Sequence, residues 1–203
     1  MEILEKAQRC VEHSTLDLSG NQDFIPFVIV VDEEDRDCFI GFTSMPEDDE
    51  AKDVLADLIA ALCVVHGAVQ AAFGSAAWAA ATTLDDDSDL PPSKRANRQE
   101  VAVATSATAA GISGIRVASL VRENNKVGVG LWEQYPPEAA AGRFAEALHL
   151  GLKLSKRITP SIRAFLREQI EAGLEEEVLR STAGVISEAR LKSLILEEGG
   201  WEK

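Results

Sequence analysis

The segment 24–32, FIPFVIVVD, constrains this chain more than any other. Its β-branched and aromatic side chains suit a pleated strand, and Pro26 falls near the start, where a strand tolerates proline. Apolar side chains fill both alternating positions, so both faces of the strand have to be covered. The strand therefore belongs within a sheet, under helices. Acidic residues 33–37, EEDRD, make a tip, and residues 38–43, CFIGFT, return as the second strand of a hairpin.

Helical periodicity supplies the cover. Ile3, Leu4, Ala7 and Val11 share one face of a short amphipathic helix over residues 2–13. Ser44-Met45-Pro46-Glu47 has the capping-box pattern, with a hydroxyl for the orphan amides and a glutamate three residues on. The helix expected after it carries Val54, Leu55, Leu58, Ile59, Leu62 and Val65, and Gly67 is placed to close it after His66. Residues 69–82 are rich in alanine yet follow that glycine and contain Gly74, which predicts a strand of small residues lying beneath a closely packed helix.

Residues 100–112 and 113–134 read as two or three antiparallel strands, with Asn124-Asn125 as a tight turn. Pro136-Pro137 ends the sheet, and a helix is expected over about 138–156. Thr159-Pro160 opens another helix holding Ile162, Phe165, Leu166, Gln169 and Ile170; Ser187 opens a last one with Leu191, Leu194 and Ile195, and Gly173 and Gly184 are expected interruptions. The predicted fold class is α+β: an antiparallel sheet of about five strands in α-β-β-α-β-β-β order. The α+β domain would span 1–135 and a helical C-terminal extension 136–203. Profilin-like and Roadblock-like domains resemble this in element order and often serve as interaction platforms, although fold alone assigns no function.

Charge narrows the functions. Of a net charge of −14, residues 1–137 carry 10 Lys/Arg against 23 Asp/Glu, whereas residues 138–203 carry 10 against 11. An acidic body repels phosphate backbones, so direct nucleic-acid binding is not expected. Cys10, Cys38 and Cys63 are too sparse for a disulfide framework and suit a reducing cytoplasm. No basic segment followed by an apolar core opens the chain, so a secretory signal is not expected. The longest apolar run, 58–69, is too short to span a bilayer.

Familiar catalytic patterns are missing. His13, His66 and His149 are isolated, and no zinc-type spacing occurs. The acidic clusters Asp32–Asp35, Asp48–Glu50 and Asp85–Asp89 lack the alternating ligands and central glycine of a calcium loop. Neither a nucleophile elbow nor a phosphate-binding glycine loop is present. Cys63 and His66 lie one helical turn apart, but a cysteine in an apolar helix is by default packing material. No catalytic residue, metal or cofactor is assigned on this basis.

One stretch stands out. Trp78 in a strand is followed by a loop in which Pro92, Ser93, Arg98 and Glu100 read P-S-x-x-x-x-R-x-E, leading into an apolar strand. Over residues 1–134 this resembles a loosely defined family of uncharacterised bacterial and phage proteins. In that family an acidic residue usually stands two positions before the tryptophan; here the position is Ala76, so no role of that acid carries over. The resemblance implies no activity. Arg98 and Glu100, two apart on a strand, point to one face, where they either latch the loop or present a fork to an anion.

Three readings follow. The first is a cytoplasmic protein acting through protein–protein interaction, with another protein or a second copy of itself, in a phage or mobile-element accessory role. The second is a small-ligand binder or enzyme built around Trp78, Ser93, Arg98 and Glu100. The third is an acidic decoy that imitates nucleic acid. The basic helical segment 148–170 is a second candidate docking surface for a membrane or an acidic partner, or a patch that turns back on the acidic body.

Overall fold

The computed structural model describes residues 2–20, 22–80, 92–140 and 142–175. Its elements are α1 (Ile3–Thr15), β1 (Phe27–Val31), β2 (Asp37–Gly41), α2 (Asp49–Val65), β3 (Gln70–Ala80), β4 (Arg98–Thr108), β5 (Gly111–Glu123), β6 (Lys126–Val129), β7 (Glu133–Tyr135), α3 (Arg143–Ser155) and α4 (Pro160–Glu175). The strands form one antiparallel sheet in the order β2-β1-β3-β4-β5-β6, with β7 also pairing β5. The protein is α+β, as expected, but the described residues hold seven strands rather than about five, and two more strands follow α-β-β-α-β-β-β before the C-terminal helices.

The extra strands arise because β5 is 13 residues long and, on the edge away from β4, serves two partners in succession. Its second half pairs β6 through the Asn124-Asn125 turn, both asparagines having positive φ. Its first half pairs β7 through Ile115–Val117, after the chain runs on along the same edge past Gly130, whose N–H donates to the Ser119 carbonyl at 2.8 Å.

Both faces of β1 are buried. Phe27, Ile29 and Val31 face α1, while Val28 and Val30 face the layer made by α2, α3 and α4. The alternation continues in β3, where Ala72 and Ala76 lie on the α1 side and Ala71 and Phe73 on the other. Gly74 does not interrupt β3. Its bare Cα leaves room for the ring of Phe27, whose Cζ would stand 2.4 Å from an added Cβ.

Other boundaries also move. The α2 helix starts at Asp49 rather than at the Ser44 box, because the Asp48 carboxylate accepts the Ala51 N–H at 2.7 Å and caps it, with Asp49 and Glu50 complementing the dipole in the first turn. It ends as expected at His66 and a positive-φ Gly67. The helix expected at 138 begins at Arg143, after a short 3₁₀ turn over Pro137–Ala139. Gly173 lies inside α4 instead of breaking it. The Asp85–Asp89 run, Gly184 and the helix expected after Ser187 lie outside the described residues.

Burial in the thick layer is dense. Ile59, Cys63 and Val64 of α2 meet Leu148 and Leu152 of α3, and Ile162, Leu166 and Ile170 of α4 join the same apolar cluster. At Gly151 the α2 and α3 helices come close to one another's backbone. A Cβ there would stand 2.5 Å from the Ala60 carbonyl oxygen and 2.8 Å from Cys63 Cβ, so the helices touch backbone to backbone. Alanine is the better helix former by about 1 kcal/mol. Even so, Gly151→Ala is expected to lower the unfolding free energy by about 1–3 kcal/mol, because α2 and α3 must separate; urea denaturation with circular dichroism measures it.

Candidate functional site

The residues singled out by sequence do assemble. In the β3–β4 register Trp78 is opposite Glu100, and Arg98 is opposite Ala80, diagonal to the tryptophan. All three lie on the α1 side of the sheet, beyond the end of the helix, in line with the buried Ala102 and Ala104. The Arg98 guanidinium carbon stands 4.7 Å from the Trp78 ring centroid, a cation–π contact. Its Nη1 donates to the Ser93 carbonyl, so Ser93 enters through its backbone and closes the 3₁₀ turn of residues 92–94 onto β4. Trp78 remains 45% exposed.

Glu100 looks the other way along the sheet. Its carboxylate accepts Arg122 Nε at 2.8 Å and Nη2 at 2.6 Å, a bidentate fork from β5. Arg122 also donates to the Gln22 carbonyl at 2.7 Å, to the Gly20 carbonyl at 3.1 Å and to the Asp23 carboxylate. One guanidinium thus ties β4, β5 and the loop after α1. The Arg122 hydrogen bonds hold the Glu100 carboxyl below its ordinary range, against the opposing effect of burial. Arg122 itself is raised, first by its bond to Glu100.

Sequence reasoning passed over Arg122. A signal existed: Leu120, two residues earlier, is buried on the α1 side, so Arg122 shares an apolar face where an unpaired charge would be costly. Together these contacts give Arg98 and Glu100 structural partners. They form a latch and a clamp.

Other candidate chemistry is inert. Cys63 is fully buried, and desolvation pushes its thiol up to about 12, far from a nucleophilic thiolate at neutral pH. Among the described residues no group of three or more His, Cys, Asp or Glu side chains is placed to hold a metal ion. The acidic runs have local work. Asp32 accepts the backbone N–H groups of Glu34 and Arg36 and pairs with the Arg36 side chain, while Asp49 and Asp53 pair with Arg143 at 2.9 and 2.8 Å. No helix among the described residues is long and apolar enough to cross a membrane.

A different surface shows more open apolar character. Asp37, Phe39 and Gly41 of β2 face the α1 side, opposite Val31, Ile29 and Phe27; from α1, Lys6 reaches Asp37 at 2.8 Å, while Phe39 is left half exposed. Between the helix and β2 runs a cleft of roughly 550 Å³, lined by Lys6, Arg9, Cys10, His13, Ile29 and Phe39 among others. Phe39 is 50% exposed, stacked on Phe27 at 5.1 Å between centroids, and Ile25 beside it is 46% exposed. Among the described residues the sheet order leaves β2 at the border, paired with β1 alone.

No protein-family model, curated protein or solved structure matches the chain. The local chemistry is therefore what distinguishes the sites.

The clamp predicts an acid response. Glu100 has its folded pKa depressed, so it stabilises the fold above its unfolded pKa, and that contribution is lost as pH falls through the folded value. Arg122→Met strands a carboxylate only 18% exposed and should cost about 1–3 kcal/mol at pH 7. The deficit relative to wild type should shrink below about pH 4, where glutamate protonates. Arg98→Ala removes one exposed stack and should cost about 1 kcal/mol or less. Chemical denaturation of both variants at pH 7 and pH 3 measures these differences.

Proposed function

We propose that the protein acts through protein–protein interaction, taking an extended segment of a partner polypeptide as an added strand on β2. The observation that carries this reading is the border position of β2 together with its half-exposed Phe39 and the apolar cleft beside α1. A border strand offers backbone N–H and C=O groups for pairing, and a groove for alternate side chains supplies selectivity. Ile25, Ile29 and Phe39 give the groove an apolar floor, and its α1 wall carries Lys6 and Arg9, paired with Asp37 and Glu5 at 2.8 and 2.7 Å. An incoming strand with apolar residues alternating fits this surface. A second copy of the chain, pairing β2 to β2, would use the same edge.

The small-ligand reading around Trp78, Ser93, Arg98 and Glu100 has less support, since Arg98 and Glu100 are already engaged by Ser93, Trp78 and Arg122. An acidic decoy draws little from carboxylates that cap a helix or fold a hairpin tip. A phage or mobile-element accessory role rests on the resemblance through Trp78, Pro92, Ser93, Arg98 and Glu100.

The test is selection of extended peptides from a displayed random library against wild type, Phe39→Asp and Trp78→Ala. The expected outcome is enrichment of alternating apolar sequences, lost with Phe39→Asp and kept with Trp78→Ala. Hydrogen exchange should slow at β2 amides when a selected peptide binds. Binding that survives Phe39→Asp but fails with Trp78→Ala would move the function to the β3–β4 latch.

A further inference from the structure

The tip of the β1–β2 hairpin, the end of α2 and the α3–α4 corner enclose a polar cleft of about 340 Å³. From α4, Arg163 and Arg167 reach it one helical turn apart. Arg163 Nη2 donates to the Ser155 carbonyl and Arg167 Nη2 to the Val65 carbonyl, both at 3.1 Å. Those carbonyls belong to the last residues of α3 and α2, so the guanidinium groups are anchored where two helix dipoles end. Gly67 keeps the space: a Cβ there would stand 2.8 Å from Arg163 Nη1.

Most of these N–H donors are unspent. A guanidinium has five N–H groups, and each arginine gives one to a partner among the described residues. Arg163 Nε is buried without any hydrogen-bond partner. No described carboxylate pairs with Arg163, Arg167 or Lys156, in a chain of net charge −14. The nearest hairpin carboxylate, Asp32, is committed to Arg36 at 2.7 Å and to two backbone N–H groups.

We propose that this cleft binds a small oxyanion of the phosphate type, held by Arg163 and Arg167 with Lys156 at its mouth. Two guanidinium planes already fixed by carbonyls need little ordering to bind, and their remaining N–H forks match the oxygens of a tetrahedral anion. Glu33 and Glu34 on the hairpin wall repel long polyanions, which restricts the ligand to a compact one. This site is separate from the β2 groove and does not depend on that reading.

His66 is a built-in reporter. It caps α2 in the same cleft, and its pKa is lowered by burial, then by Arg167, with Asp32 acting the other way. The charged groups lining its surroundings are Arg163 and Arg167 from α4, Lys156 after α3, and Asp32, Glu33, Glu34, Arg36 and Asp37 from the hairpin. A bound anion favours the imidazolium, so His66 should titrate at higher pH when the site is filled, and binding should tighten as pH falls through that value.

Nuclear magnetic resonance titration of the full chain with inorganic phosphate, and separately with sulfate, at constant ionic strength tests the proposal. Expected are saturable shifts confined to Val65–Val69 and the α3–α4 corner, and a rise in the His66 pKa at saturation. Arg167→Gln should weaken binding at least tenfold; Arg167→Lys, which keeps the charge but loses the fork, should weaken it severalfold; Arg98→Gln should leave it unchanged. Shifts that never saturate, equal affinity in Arg167→Gln, or an unmoved His66 would overturn the site.

Discussion

One helix has to cover one face of a sheet six strands wide. At about 4.8 Å per strand that face is about 24 Å across, while a helix with its side chains spans about 10 Å. The opposite face meets a layer of three helices and closes completely over β1 and β3. On the thin side, α1 sits over the middle strands and leaves bare flanks. The Phe39–Ile25 groove is the flank on the β2 side, and the Trp78–Arg98–Glu100–Arg122 group lies past the end of the helix along β3, β4 and β5. Charge and a stacked ring finish the sheet past the helix end, and apolar side chains remain open at the flank.

The thick side depends on close approach. Gly151 against Ala60 lets α2 and α3 share backbone contact, which brings Leu148 and Leu152 into the apolar layer behind β1 and β3. The same placement sets α4 across the ends of both helices, where Arg163 and Arg167 find the last carbonyls. Arginine at such a position can satisfy two needs, closing the helix ends and holding charge in a cleft.

Much of this was legible in the sequence. FIPFVIVVD identified a strand buried on both faces, and the Leu55–Ile59–Leu62 stripe identified α2, because burial writes its period directly into apolar spacing. Arg98 and Glu100 were placed on one face by the two-residue strand repeat, and the β3–β4 register adds Trp78 to it. What stayed hidden has physical reasons. Glu133–Tyr135 is exposed throughout and pairs by backbone alone, so β7 has no apolar alternation to read. The start of α2 moved because two capping sequences lay four residues apart and the aspartate won. The groove at Phe39 was invisible because an aromatic residue in an apolar strand reads as core until the width of the helix over it is known.

The thin face also carries a timetable. Its helix comes first in the chain, yet it is held by residues far downstream: Gln8 by Arg116, 108 positions later, at 2.6 Å, and Glu12 by Trp132, 120 positions later, at 2.9 Å. At a synthesis rate of about 5–20 residues per second, α1 waits roughly 5–20 s for the first of these partners to be made. Throughout that interval α1 can lie on β1, β3 and β4 as they are made, but it lacks its polar ties to Arg116 and Trp132. The thin face is therefore covered early by apolar contact and fastened late, once β5 and Trp132 have been made.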